Sequence, residues 1–86
     1  YCVFTSDNPR SEDPIAILEA VTDRLPDDGT WEIVADRRLA IERAVSMAHS
    51  GDIVLLAGKG HEDYQEIKGV KHHFSDLEEL KRVFSR

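Results

Sequence analysis

The sequence predicts an α/β domain, and three observations carry that reading. Short runs of β-branched and aromatic residues alternate with stretches of helical periodicity. The run Ile53-Val54-Leu55-Leu56-Ala57 is apolar without a break, the pattern of a strand buried on both faces. Two apolar runs pass directly into polar loops, Ser6–Arg10 and Gly58–Gln65. Alternation of this kind implies a Rossmann-like, mostly parallel sheet with helices on both faces. The expected order is β-α-β-α-β-(ββ)-α.

Each element has its own signal. Residues 1–5 have the β-branched and aromatic character of a strand. From Pro14 to Leu25 the apolar residues Ile15, Leu18, Val21 (or Thr22) and Leu25 recur at helical spacing. Asp13 suits the N-cap there, and Pro14 suits the first helical position because its missing N–H costs nothing. Pro26-Asp27-Asp28-Gly29 ends that helix in a turn. Trp31–Ala35 predicts a second strand. Asp36 caps a second helix, which carries Leu39, Ala40, Ala44, Val45, Met47 and Ala48 and stops at Ser50-Gly51. Ile53–Ala57 predicts the third strand. Tyr64–Lys68 and Val70–Phe74 predict a hairpin turning at Gly69. Ser75-Asp76-Leu77-Glu78 has the form of a capping box, and the last helix is expected to turn Leu77, Leu80, Val83 and Phe84 inward.

Composition narrows the function classes. The chain has 86 residues, enough for one domain or part of one, and carries 17 Asp and Glu against 11 Lys and Arg, a net charge of −6. A negative balance without a basic patch disfavours nucleic acid or an anionic membrane as the main partner. No apolar run approaches the ~20 residues that span a bilayer. The single Cys2 has no internal disulfide partner, which fits a reducing cytoplasm, and in its apolar run it is expected to be a buried small hydrophobe. The chain opens on Tyr1-Cys2-Val3-Phe4-Thr5, with no initiator Met and no polar lead. That opening predicts a segment excised from a longer protein.

Two loops hold the candidate chemistry. In Asp7-Asn8-Pro9-Arg10, Pro9 fixes its own φ and pushes Asn8 toward extended geometry, so the loop is stiff. Arg10 offers a planar fork matched to a carboxylate or phosphate. The same residues also suit a plain Asx-Pro turn. In Gly58–Gln65, glycines flank Lys59, so backbone N–H groups can approach a ligand. Glu62 can hold a cationic amine, and His61 can accept or donate a proton near neutral pH. The loop lacks the spacing of a Walker A phosphate loop. A Gly-rich turn with solvated charges remains the plain alternative. His61, Glu62, Asp63, His72 and His73 are metal-ligand types at poor spacing, since adjacent His72 and His73 in a strand point to opposite faces. Arg37 and Arg38 are expected to sit exposed in the first turn of a helix, where either could line the site.

Taken together, Ser6-Asp7-Asn8-Pro9-Arg10-Ser11-Glu12-Asp13-Pro14 and Leu56-Ala57-Gly58-Lys59-Gly60-His61-Glu62-Asp63-Tyr64-Gln65 closely resemble the C-terminal domain of the Mur ligases, in particular the members that add 2,6-diaminopimelate. Ala35-Asp36-Arg37 with Ala40-Ile41, and His73-Phe74-Ser75-Asp76, fit the same pattern. The resemblance covers residues 1–86 as one partial domain, truncated on its N-terminal side.

The resemblance implies a cytoplasmic, ATP-dependent, amide-forming ligase of peptidoglycan synthesis, serving cell-wall growth, cell shape and cell division. The D-glutamate carboxylate of UDP-MurNAc-L-Ala-D-Glu is phosphorylated, the amine of meso-diaminopimelate attacks, and phosphate leaves. It further implies that Arg10 pairs with the far carboxylate of the amino acid. Asp7, Asn8 and Pro9 would help hold that end, Gly58 through its backbone and Glu62 by its charge. Such an end is a zwitterion and needs one cationic fork and one anion. ATP and Mg2+ belong to a central domain outside these residues. This segment is therefore expected to hold no catalytic residue and no metal ligand, to be inactive alone, and to be poorly stable or oligomeric along an unpaired sheet edge. The alternatives are the same module from a relative that adds another amino acid, with Arg10 as discriminator, and a non-enzymatic α/β binding module.

Overall fold

The structure is a computed structural model that describes residues 1–8, 12–59 and 62–84. In chain order its elements are β1 (Cys2–Phe4), α1 (Pro14–Thr22), β2 (Trp31–Ile33), α2 (Arg37–Met47), β3 (Tyr64–Ile67), β4 (Val70–His73) and α3 (Asp76–Phe84). β1 and β2 pair in parallel, with Cys2 opposite Trp31, Val3 opposite Glu32 and Phe4 opposite Ile33. The pairing continues beyond the strands, because the Val34 N–H donates to the Phe4 carbonyl and the Ser6 N–H to that of Ala35. Phe4 and Trp31 meet edge to face, with ring centroids 6.1 Å apart. β3 and β4 form the expected hairpin, Ile67 opposite Val70. Its turn uses Lys68 at φ 52° and Gly69 at φ 77°, the left-handed pair that a two-residue hairpin loop with matching twist demands.

Helix starts follow the sequence signals. The Asp13 carboxylate accepts from the Ile15 N–H at 3.0 Å, and Pro14 begins α1. The Asp36 carboxylate accepts from the Leu39 N–H at 3.1 Å. At α3 only half of the capping box forms. Ser75 Oγ accepts from the Glu78 N–H at 3.3 Å, but the Glu78 carboxylate turns to His73 Nε2 at 2.6 Å. A cross-element partner wins over the local one.

The expected third strand is corrected. Residues 53–57 join no ladder among the described residues. Ile53 is 93% and Leu55 83% exposed, while Val54 and Leu56 are half-buried. The period of two survives, with only one face covered. Apolarity brings the ribbon to the body; a ladder also needs a neighbour offering N–H and C=O groups.

The apolar core is small: among the described residues, Leu18, Ala40, Ile41 and Phe74 are the buried hydrophobic ones. Leu77 and Phe84 are exposed, against the expectation that they turn inward, and Cys2 is exposed too. α3 instead meets α2 through charge. Glu79 accepts from Arg38 Nε and Arg82 Nε, each at 3.0 Å, and Arg82 reaches Glu42 at 2.7 Å. Ile41, at 2% exposed, anchors the core. Ile41→Val should lower the unfolding free energy by about 0.5–1.5 kcal/mol in a urea titration, the usual cost of one buried methyl group.

Candidate functional site

β1 delivers the chain to Thr5–Asn8, and the ribbon 53–57 delivers it to Gly58 and Lys59. These two ends lie side by side. Asn8 Oδ1 accepts from the Glu66 N–H at 2.8 Å, and Asn8 Nδ2 points to Glu62 Oε2 at 3.5 Å. Lys59 Nζ lies 2.9 Å from Asp7 Oδ1. Gly58 has φ 101°, which an L side chain rarely adopts, and a Cβ on it would stand 3.6 Å from Asp7 Oδ2.

Two buried cations hold this meeting place together. The Lys59 side chain is 0% exposed. Its ammonium pairs with Asp7 by charge, donates to the Tyr64 carbonyl at 2.6 Å and lies 5.9 Å from the ring centres of Tyr64 and Phe74. Arg37 is 5% exposed, which corrects its expected place in solvent. Its guanidinium grips Asp76 with Nε and Nη2, both at 2.7 Å. It also donates to the carbonyls of Ser6 and Ala57, each at 3.2 Å. The Asp76 hydrogen bonds raise the Arg37 pKa above the ordinary arginine value, against a lowering by burial; the fields of Asp76, Asp7 and Glu62 push it up as well. One planar fork thus fastens the chain after β1 and the end of the ribbon 53–57 to the first residue of α3, where a carboxylate also suits the helix dipole.

Beside the junction lies a cavity of about 450 Å³, lined by Phe4, Asp7, Asn8, Leu18, Val21 and Glu62 among others. Its lining combines apolar side chains with amide and carboxylate groups. That suits a small molecule with an aliphatic stem and a cationic end.

Of the predicted site residues, the structure brings Asp7, Asn8, Gly58 and Glu62 into one cluster. Pro9, Arg10 and His61 lie outside the described residues. No group of three or more His, Cys, Asp and Glu side chains able to hold a metal occurs among the described residues. Sequence reasoning left Lys59 and Arg37 without a role. Their signals were present: a lysine between glycines at the end of an apolar run, and an arginine directly after an N-cap beside a two-strand junction.

Comparison with known proteins is consistent with this geometry. The profile described as "Mur ligase, glutamate ligase domain" matches residues 1–60. The chain belongs to the Mur ligase family. Among its relatives, UDP-N-acetylmuramoyl-L-alanyl-D-glutamate–2,6-diaminopimelate ligase of Aquifex aeolicus is 52% identical over 81 residues, covering 94% of this chain and 17% of the relative. The ligase of the same name from Chlorobaculum tepidum is 55% identical over 85 residues, covering 98% of this chain and 16% of the relative. A solved structure of a ligase with that name superposes with a TM-score of 0.90 at 44% identity, over 96% of this chain and 17% of that one. The Mur ligase fold therefore accounts for the arrangement of strands, hairpin and helices seen here. The chain spans about a sixth of the length of these family members.

Proposed function

We propose that this chain is the amino-acid-binding C-terminal part of a cytoplasmic ligase that adds meso-diaminopimelate to UDP-MurNAc-L-Ala-D-Glu at the expense of ATP. The observation that supports this reading is the convergence of the two loops, with Asn8 and Glu62 at 3.5 Å. Arg10 follows Asn8 by two positions, so a cationic fork and an anion are available to one zwitterionic end. L-Lysine has the amine and lacks the far carboxylate. Bound in its place, it would leave Arg10 unpaired, which is how a polar pocket rejects the poorer analogue.

In this reading the chain's own residues bind and orient. Glu62 holds the distal ammonium, Asn8 fixes the position of Glu62 and of the Glu66 backbone, and the Gly58 backbone lines the approach. ATP supplies the phosphoryl group that activates the D-glutamate carboxylate, with Mg2+ to neutralise charge. In this reading both groups belong to other parts of the ligase.

The test is a ligation assay with the protein encoded by the whole reading frame. ATP-dependent amide formation with meso-diaminopimelate should exceed that with L-lysine at least a hundredfold in kcat/KM. Equal use of the two amino acids would overturn the proposal. Reading the frame upstream of Tyr1 for a Gly-x-x-Gly-Lys-Thr/Ser loop is a second check, and its absence would count against an enzyme.

A further inference from the structure

Each loop of the site is preceded by a carbonyl that Arg37 holds. The Ser6 carbonyl, one position before Asp7, accepts from Arg37 Nη1 at 3.2 Å. The Ala57 carbonyl, one position before Gly58, accepts from Arg37 Nη2 at 3.2 Å. Gln65 Nε2 approaches the same Ser6 carbonyl at 3.5 Å. Asp76 sets the plane of the fork through Nε and Nη2. The two side chains are 5% and 8% exposed, and neither lines the cavity at the junction. A molecule in that cavity therefore meets the loops and not this pair. What the pair fixes is the spacing of the two peptide segments, because the donors of a guanidinium lie in one rigid plane.

We infer that Arg37, oriented by Asp76, is a positioning residue for the distal end of the amino acid: it sets the two loops at the spacing that selects the configuration of the distal carbon. The inference rests on the diaminopimelate-binding reading above. The loop residues supply the contacts, and Arg37 supplies the spacing at which they meet one molecule. L,L-Diaminopimelate has the same length, charge and groups as the meso isomer, with the distal carbon reversed. Charge alone cannot tell the two apart. Discrimination needs the aliphatic stem, the carboxylate and the ammonium to be met at three fixed points, and those points lie on separate loops.

The experiment measures kcat and KM with each isomer on the full-length ligase, as wild type, Arg37→Lys and Asp76→Asn. Arg37→Lys keeps a positive charge opposite Asp76 and loses the fork. Asp76→Asn keeps the fork and removes the charge that orients it. Each variant should raise the KM for meso-diaminopimelate about tenfold and leave the KM for ATP within twofold. Each should also cut the preference for the meso over the L,L isomer, as a ratio of kcat/KM, at least fivefold. A variant that is only less stable loses active enzyme, which lowers kcat and moves neither KM nor the ratio. That pattern in folded Arg37→Lys would overturn the inference, as would equal use of the two isomers by the wild type. Should Arg37→Lys fail to fold, Asp76→Asn decides through the same ratio. Wild-type protein that does not ligate meso-diaminopimelate at all would instead reject the parent reading, so the two failures are distinguishable.

Discussion

Asp76→Ala should destabilise the protein by about 3–5 kcal/mol, the cost of stranding one member of a buried charge pair. The stranded group is Arg37, 5% exposed and held by Asp76 with two 2.7 Å bonds. Its other partners, the Ser6 and Ala57 carbonyls, are neutral and cannot balance the charge. The loss is large against the ~5–15 kcal/mol by which folded domains are ordinarily stable. Arg37→Met alone should cost a comparable amount, since it strands Asp76 and removes donors from both carbonyls. The pair Arg37→Met with Asp76→Leu should cost much less than the sum of the single changes. Urea denaturation of the three variants measures this. An Asp76→Ala loss below about 1 kcal/mol, the range of exposed surface pairs, would show that the junction does not depend on the pair.

The second large effect is expected at Arg10. Arg10→Ala should raise the KM for meso-diaminopimelate by tens to about a hundredfold and leave the KM for ATP nearly unchanged. A hydrogen bond to a charged group is worth about 1.5–3 kcal/mol, and each 1.4 kcal/mol is a factor of ten. Arg10→Lys should recover only part of the loss, because a point charge cannot reproduce two parallel N–H donors. Steady-state kinetics with each substrate varied in turn separates these outcomes. An unchanged amino-acid KM in Arg10→Ala would remove Arg10 from the carboxylate site.

Helix starts, the hairpin and both loops were legible in the sequence because their signals are local. Asp13-Pro14, Asp36 and Lys68-Gly69 act within a few residues of themselves. What was not legible depends on distant partners. Ile53–Ala57 has the composition of a central strand, but a ladder is a property of two segments, and composition describes one. Leu77 and Phe84 carry helical spacing, yet α3 settles on α2 through the Arg38–Glu79–Arg82 ladder. Arg37 was assigned to solvent because arginines usually are; its burial follows from Asp76, 39 positions away. The site itself was half legible. Residue types marked the loops, while the cation that joins them looked like an ordinary charged turn residue.

The linkage of Ser6 and Ala57 to one guanidinium has a mechanical consequence. One planar group bonded to both walls opposes their hinging against each other. Spin labels placed on the two walls should keep a constant mutual distance with and without the amino acid.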